Sequence, residues 1–219
     1  MSADYWKMIR YCEACLKQHG DNYLGVGWTK CQQDADARYR VMLDVIRDCP
    51  NVPVRLLDFG CGASHLYEFI QRTRNLPNIH YSGLDLSPEL IALSRRKFPG
   101  ITYYDFDILS GEAKLLEFDY IIANGVFTLK LDNSFDQMWS FLQAVVRCLY
   151  AKARQGMAFN VMSKQVQWER ADLFHASFDR VASFLTQEIS RHFVFRHDYG
   201  LYEFTTYVYR KPNHIHETW

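Results

Sequence analysis

A glycine turn that follows a predicted strand at 54–60 could place backbone against a ligand. The turn reads Asp58-Phe59-Gly60-Cys61-Gly62-Ala63-Ser64. Ligands of open α/β sheets bind at the carboxyl ends of the strands, and glycine lets the backbone come close to them. Asp85 ends the next predicted strand, where a carboxylate can accept hydrogen bonds from both hydroxyls of a ribose. Together the turn and Asp85 predict a nucleoside site.

The spacing of the glycines distinguishes between the classes of nucleoside ligand that such a turn could bind. A dinucleotide fingerprint reads GxGxxG or GxGxxA, but His65 occupies the third position, which has to be small. A Walker phosphate loop, GxxxxGK[ST], is absent. The turn instead resembles motif I of the class I S-adenosylmethionine-dependent methyltransferases, usually DxGxGxG. Ser64 replaces the third glycine and could also cap the following helix.

The resemblance continues over residues 35–211. GLDLSPELIALSRRKFP resembles the second motif of the family, which makes Asp85 the ribose ligand and sets Leu86 beside the adenine. YYDFDIL resembles the third, in which Asp107 would accept from the adenine amino group and the Ile108 backbone would contact the ring.

The fourth motif is resembled by FDYIIANGVF, which implies that Asn124 and Gly125 lie near the sulfonium. The resemblance therefore implies S-adenosylmethionine as the cofactor. The contacts it implies come from Asp58, Gly60, Cys61, Gly62, Asp85, Leu86, Asp107, Ile108 and Asn124.

Each residue type also has a purely structural interpretation. Asp58 can organise its own turn, and burial within the turn explains Cys61 better than nucleophilic chemistry does. Asp105 and Asp107 alternate on a predicted strand, so one of them is expected to be a solvated edge charge. A turn asparagine such as Asn124 often only caps backbone groups.

Arg38 is a candidate on different grounds. It shares a helical face with Val41, Met42 and Val45, so its guanidinium starts on a side that should be buried and needs a partner. The methionine carboxylate of the cofactor would suit its fork of donors. The alternatives are an ion pair with Asp34 or extension of the side chain to solvent.

The methyl acceptor should meet three segments rich in aromatic residues: HGDNYLGVGW, a predicted lid SKQVQWERADLFH, and the hairpin tip HDYGLYEF. Histidine titrates near neutral pH, which makes His175 and His197 the candidate general bases. The candidate pocket walls are Trp28, Trp168, Tyr199 and Tyr202.

The elements that must position these residues alternate between strand and helix. Strands are predicted at 54–60, 79–86, 101–109, 119–127 and 156–163, with helices near 3–18, 33–48, 64–74, 88–97, 133–153 and 177–190. This order predicts a Rossmann-like α/β fold whose mostly parallel, seven-stranded sheet has helices on both faces. Two final aromatic strands are linked too briefly for a crossover, so they should form an antiparallel hairpin.

No linker or repeat divides the 219 residues, so a single domain is expected. Within it we expect a helical cap segment at 1–50, the core at 51–211 and a tail at 212–219. No segment is apolar enough for a signal peptide or a membrane span, which predicts a cytoplasmic protein. The six cysteines are scattered; Cys12 and Cys15 form a lone CxxC near Cys31, but packing is favoured over zinc, and no metal is expected.

The charge balance bears on the acceptor. The 25 Lys and Arg equal the 25 Asp and Glu, which disfavours nucleic acid or an anionic membrane as a partner and favours a small organic acceptor methylated at oxygen or nitrogen. Two alternatives stay open: an NAD-dependent oxidoreductase and a non-catalytic module that binds S-adenosylmethionine. The sequence also leaves the oligomeric state open, with a homodimer as one alternative.

Overall fold

A computed structural model describes residues 3–28, 32–47, 53–73, 78–111 and 115–213 of the chain. Cys31 and Cys49 lie outside the described residues, as does most of the predicted tail. The other four cysteines are free thiols. Within these ranges no helix is long and apolar enough to cross a membrane. The same ranges contain no cluster of His, Cys, Asp and Glu that could hold a metal ion.

The sheet runs in the order β3-β2-β1-β4-β5-β8-β7. Its strands are β1 (Val54–Phe59), β2 (Ile79–Leu84), β3 (Thr102–Tyr104), β4 (Phe118–Ala123), β5 (Ala153–Ser163), β6 (His175–Ala176), β7 (Phe193–Arg196) and β8 (Glu203–Tyr209). Strands β1 to β5 are parallel, whereas β8 runs antiparallel to both β5 and β7. The short β6 pairs with the end of β5. The carboxyl ends of β1 to β4 therefore meet at one edge.

Helices cover both faces of this sheet. They are α1 (Tyr5–His19), α2 (Gln32–Leu43), α3 (His65–Arg72), α4 (Pro88–Lys97), α5 (Phe135–Lys152) and α6 (Phe178–Phe184), and a π-helical turn at Leu185–Ile189 extends α6. One apolar core holds buried residues of α1, α5 and α6, and a second holds those of α2, α3 and α4. The predicted Rossmann-like fold with an antiparallel terminal hairpin is confirmed.

Helices α4 and α5 show how the sequence sets local structure. The Ser87 hydroxyl accepts from the Leu90 N–H, and Pro88 occupies the first turn of α4, as predicted. Ser134 and Gln137 form a reciprocal capping box at the start of α5. The apolar face of α5 then buries residues such as Leu142 completely, and truncating one of these to alanine costs about 2–5 kcal/mol.

Two local predictions were wrong. The third strand ends at Tyr104, so Asp105 and Asp107 lie in the loop after it. Ser64 precedes α3 in a left-handed conformation and makes no side-chain cap, because its hydroxyl instead bonds Ser94 and Tyr103. The segment after β5, for which a lid role stays a prediction, ends at β6, which pairs with the end of β5.

Candidate active site

A pocket opens at the sheet edge where β1 to β4 end. Backbone and side chains after all four strands line it, with α1 and the loop before α2 forming its cover. Ten of the residues predicted from the sequence are brought together there: Trp28, Asp58, Gly60, Cys61, Gly62, Asp85, Leu86, Asp107, Ile108 and Asn124.

The glycine turn after β1 depends on the lack of side chains. Gly60 has a φ of +74°, and an added Cβ would lie 2.6 Å from Val126 Cγ2. Gly62 also has a positive φ, of +52°. The Gly60 and Cys61 N–H groups both donate to the Leu84 carbonyl, which ties the turn to β2. Only glycine combines this conformation with so close an approach to the loop after β4.

Asp85 links the turn to the start of α4. Its Oδ2 accepts from the Gly62 N–H at 2.8 Å, and its Oδ1 accepts from the Ser87 N–H at 2.8 Å. Burial raises the pKa of this carboxyl, while the backbone donors of Ser87, Gly62 and Leu86 act in the opposite direction. Asp85 lines the pocket with further lone pairs available for donors of a ligand.

Asp58 is buried at the end of β1 and also lines the pocket. Burial raises its pKa to about 7, against the lowering effect of the Tyr81 hydroxyl, which donates to Oδ2 at 2.7 Å; the charge of Asp85 adds to the rise. Near neutral pH this carboxyl is therefore close to half ionised, and a cation in the pocket would favour its charged form.

The loop after β3 carries Asp105 and Asp107, one of which was predicted to be a solvated edge charge. Asp105 is exposed and pairs with Arg95 at 3.2 Å. Asp107 lines the pocket, where its Oδ2 accepts from the Tyr5 hydroxyl and its Oδ1 from the Leu109 N–H. Ile108 is buried beside it.

Asn124 follows β4 and is buried, with 8% of its surface exposed. Its Oδ1 has no hydrogen-bond partner within the described part of the chain, although the residue lines the pocket. A buried acceptor without a donor costs free energy, so a bound molecule that supplies a donor would stabilise this atom. The next residue, Gly125, is held by its N–H, which donates to Asn160 Oδ1 at 2.7 Å.

Trp28 is the one predicted acceptor-pocket residue found in the lining. Asp21 anchors the loop that precedes Trp28, because it contacts both His65 and Lys97 at 2.8 Å.

Cys61 is buried, and burial raises the pKa of its thiol well above the usual range. Cys61 therefore stays protonated, in keeping with a packing role.

Arg38 lies outside the lining. Its Nε donates to Glu203 Oε1 at 2.8 Å, and its guanidinium lies 5.1 Å from the centre of the Trp28 ring. The partly buried guanidinium thus has a carboxylate partner on β8 rather than in the pocket.

The candidate bases and the remaining candidate walls also lie outside the lining. His175 is buried, its Nδ1 2.8 Å from the Ser163 carbonyl, and its Nε2 accepts from the Arg170 N–H. His197 is exposed beside Phe178. Tyr199 bonds Thr205 at 3.0 Å. Trp168 and Tyr202 are exposed, with ring centres 4.9 Å apart.

Sequence reasoning missed the contribution of α1. Tyr5, Met8, Ile9 and Cys12 line the pocket, although the sequence predicted only a helix near 3–18 in which Cys12 packs. An apolar helix face predicts packing against a core, and its pattern does not distinguish residues that pack from residues that cover a cavity. A hydroxyl at Tyr5 was the single available signal, since a buried tyrosine needs a polar partner.

Comparison with known proteins shows the family to which this fold and pocket belong. A family model described as a methyltransferase domain matches residues 57–155. Rv1506c of Mycobacterium tuberculosis, assigned as a methyltransferase, is 31% identical over 159 residues, which cover 71% of this chain and 93% of that protein. The chain belongs to the class I S-adenosylmethionine-dependent methyltransferases.

Solved structures share the fold. Magnesium protoporphyrin IX methyltransferase from Synechocystis, with bound S-adenosylmethionine, matches with a TM-score of 0.61 and 14% identity over 95% of this chain and 94% of its own. CalS10, an amino pentose methyltransferase from Micromonospora echinaspora, matches with a TM-score of 0.54 and 15% identity over 91% and 96% of the two chains. Family membership favours the methyltransferase over the NAD-dependent alternative.

Proposed function

We propose that the protein transfers the methyl group of S-adenosylmethionine to an oxygen or nitrogen of a small organic acceptor, with the cofactor in the pocket at the ends of β1 to β4. One observation carries the proposal: Asn124, whose buried Oδ1 has no donor in the described part of the chain, lines the same cavity as Asp85 and the glycine turn. A nucleoside that carries a cationic amino-acid tail offers donors to both ends of this cavity.

The order of the strands supports one orientation of the cofactor. Asp107 and Ile108 follow β3, Asp85 follows β2, the glycine turn follows β1 and Asn124 follows β4, which is also their order along the edge. The adenine would lie near β3, the ribose at Asp85, and the amino-acid tail between β1 and β4. Asp58, at the end of β1, would then face the positive end of the ligand.

When bound, the cofactor supplies an electrophilic methyl group on its sulfonium. The residues of the chain orient the ligand and exclude water, because Met8, Phe141 and Val145 form an apolar wall of the pocket. Neither His175 nor His197 lines that pocket. Either histidine could act as the base only for an acceptor long enough to extend from the cofactor's methyl group to that side chain. An acceptor that attacks with a neutral lone pair needs no such base.

The acceptor class rests on charge and on aromatic surface. The equal numbers of acidic and basic residues give no field to attract a polyanion, so we propose no nucleic acid as substrate. Trp28 lines the pocket, and the exposed pair Trp168 and Tyr202 lies beyond the end of β5, where Tyr202 accepts from the Ser163 N–H through its carbonyl. Such rings suit the apolar face of a small organic molecule.

An assay with methyl-labelled S-adenosylmethionine tests the proposal. The purified protein is incubated with cell extract divided by size and by nuclease and protease treatment, and label is followed in each fraction. Label in a small-molecule fraction, lost with an Asp85→Ala variant, is expected. Label in RNA, DNA or protein would contradict the small acceptor, and no transfer to any fraction would contradict the proposed activity.

A further inference from the structure

A closed ring of four side chains surrounds Gly125, which lies in the turn after β4. Asn160 Oδ1 accepts from the Gly125 N–H at 2.7 Å, and Asn160 Nδ2 donates to Glu203 Oε1 at 3.0 Å. Arg38 Nε donates to the same oxygen at 2.8 Å. The Arg38 guanidinium lies over Trp28, and an added Cβ on Gly125 would approach Trp28 Nε1 to 3.1 Å.

The ring is built from groups that are costly to bury. Glu203 exposes 2% of its side chain and Arg38 exposes 16%. Asn160 is fully buried on the central strand β5. A buried charge pair adds little net stability compared with apolar packing, so it is better explained by what it fixes in place. The Arg38–Glu203 pair holds Asn160, and Asn160 in turn holds the Gly125 backbone in the turn that carries Asn124.

The turn matters because it carries Asn124, a residue of the pocket lining. The Asn124 Oδ1 is buried and has no hydrogen-bond donor among the described residues. Asn124 follows β4, on the far side of β1 from Asp85 and Asp107. A cofactor bound in the proposed orientation would bring its amino-acid tail there, and the only donor on that tail is the α-ammonium group.

We propose that Asn160 and Glu203 are positioning residues, which hold the Gly125 backbone so that Asn124 Oδ1 accepts a hydrogen bond from the α-ammonium of the cofactor. Arg38 and Trp28 complete the ring and connect α2 and the loop before it to the terminal hairpin. This inference rests on the proposed function, since it assumes that S-adenosylmethionine binds in the pocket.

Two ligands separate this role from a merely structural one. S-Adenosylhomocysteine carries the amino-acid tail, whereas 5′-methylthioadenosine has the same nucleoside and sulfur without it. Calorimetry with both ligands is carried out on the wild type, Asn124→Ala and Asn160→Ala. Both variants should bind S-adenosylhomocysteine about tenfold to a hundredfold more weakly, as expected for a hydrogen bond to a charged group, and bind 5′-methylthioadenosine with affinity close to that of the wild type. The double variant should lose little more than either single variant, because both act on one hydrogen bond.

Two further variants complete the series. Glu203→Gln, the conservative variant of a positioning residue, keeps an oxygen that accepts from Asn160 Nδ2 and should weaken S-adenosylhomocysteine binding less than Asn160→Ala does. The control is Thr206→Val, which removes the buried hydroxyl of a neighbouring β8 residue that has no partner within the described residues, and it should change binding of neither ligand. If Asn160→Ala does not fold, Asn160→Ser, whose shorter side chain cannot reach both partners, takes its place with the same expected result.

Equal weakening of both ligands in the Asn160 variant would overturn the positioning role, as would unchanged binding of S-adenosylhomocysteine. Either result would leave the proposed function intact, because the wild type would still bind the cofactor product. Failure of the wild type to bind either ligand would instead overturn the proposed function, and the inference with it.

Discussion

The Tyr5 hydroxyl donates to Asp107 Oδ2 at 2.5 Å, which joins the first turn of α1 to the loop after β3. A second contact, from the Ser87 hydroxyl to Glu13 Oε1 at 2.8 Å, joins the middle of the same helix to the start of α4. Helix α1 is thus fastened over the end of the pocket where the adenosine is proposed to lie. Release of the ligand from that end requires these contacts to open.

Replacing Tyr5 by phenylalanine should accelerate cofactor release. The pKa of Tyr5 is raised to about 12 by burial and by Asp107, so its hydroxyl is a protonated donor at neutral pH. Phenylalanine keeps the stacking on Phe141, with ring centres 5.3 Å apart, and removes only the hydrogen bond. Stopped-flow measurement should show S-adenosylhomocysteine dissociating about fivefold to tenfold faster. Tyr11→Phe, on the exposed side of α1, is the matched control, and an unchanged rate for Tyr5→Phe would contradict the fastening role.

The pH dependence of stability should reveal Asp58. Its pKa is about 7 in the folded protein against 3.8 ordinarily, so the folded state holds a proton that the unfolded state releases between these values. The stabilisation is complete below about pH 4 and is lost as the pH rises through 7, at up to about 1.4 kcal/mol per pH unit.

Asp58→Asn keeps an oxygen for the Tyr81 hydroxyl and cannot titrate. Between pH 5 and pH 7 the free energy of unfolding of the wild type, measured by denaturant titration, should fall relative to that of the variant by about 2 kcal/mol. A difference that does not vary with pH would mean that Asp58 is already ionised in the folded protein.

Gly60→Ala adds one methyl group but should lower both the stability of the protein and its affinity for the cofactor. The added methyl would sit 2.6 Å from Val126 Cγ2 on a residue whose φ is +74°. Strain of about 1–3 kcal/mol should lower the melting temperature and displace the turn, weakening S-adenosylhomocysteine binding about tenfold or more. Gly100→Ala has no heavy atom within 4 Å of the added Cβ and should leave both quantities near those of the wild type. Equal behaviour of the two variants would argue against a close-packed glycine turn.

The loop that carries Val26 and Trp28 to the pocket should loosen when its anchor is removed. Asp21 contacts His65 Nε2 and Lys97 Nζ, both at 2.8 Å. In Asp21→Ala, amide hydrogen exchange at 20–28 should accelerate and cofactor affinity should fall about threefold to tenfold. Glu117→Ala, which breaks an exposed pair with Arg154, should change neither. Exchange in the loop that matches the wild type would rule out Asp21 as its anchor.

The sequence predicted the part of the site that is local in the chain. A strand, the glycine turn and a helix follow one another around Gly60, and the acidic end of the next strand supplies Asp85, so spacing alone brings them to one sheet edge. Asp107 and Asn124 were assigned to the site by the resemblance to the third and fourth motifs. The predicted strands at 101–109 and 119–127 included both residues, whereas β3 and β4 end before them. Their predicted roles in binding remain predictions until a ligand is measured.

Long-range pairings could not be predicted in this way. Arg38 was expected to need a partner because of its helical face, but periodicity does not show that Glu203, on the last strand, would be that partner. Asn160 is a polar residue in a predicted buried strand, and nothing in the sequence indicates that it bonds Gly125 and Glu203. The third strand was predicted too long because aromatic residues favour strands up to the point where the backbone turns, and only tertiary contacts mark that point.

Calorimetry of the wild type and an Asp85→Ala variant with S-adenosylmethionine, S-adenosylhomocysteine and NAD tests the central claim most directly. Asp85 bonds the Gly62 and Ser87 backbone and lines the pocket, so its loss removes the proposed ribose contact and the tie between β1 and β2 ends. We predict binding of both adenosyl compounds at micromolar concentration, weakened about a hundredfold or more in the variant, and no binding of NAD. Binding of NAD alone, or equal binding of the adenosyl compounds by both proteins, would contradict the account.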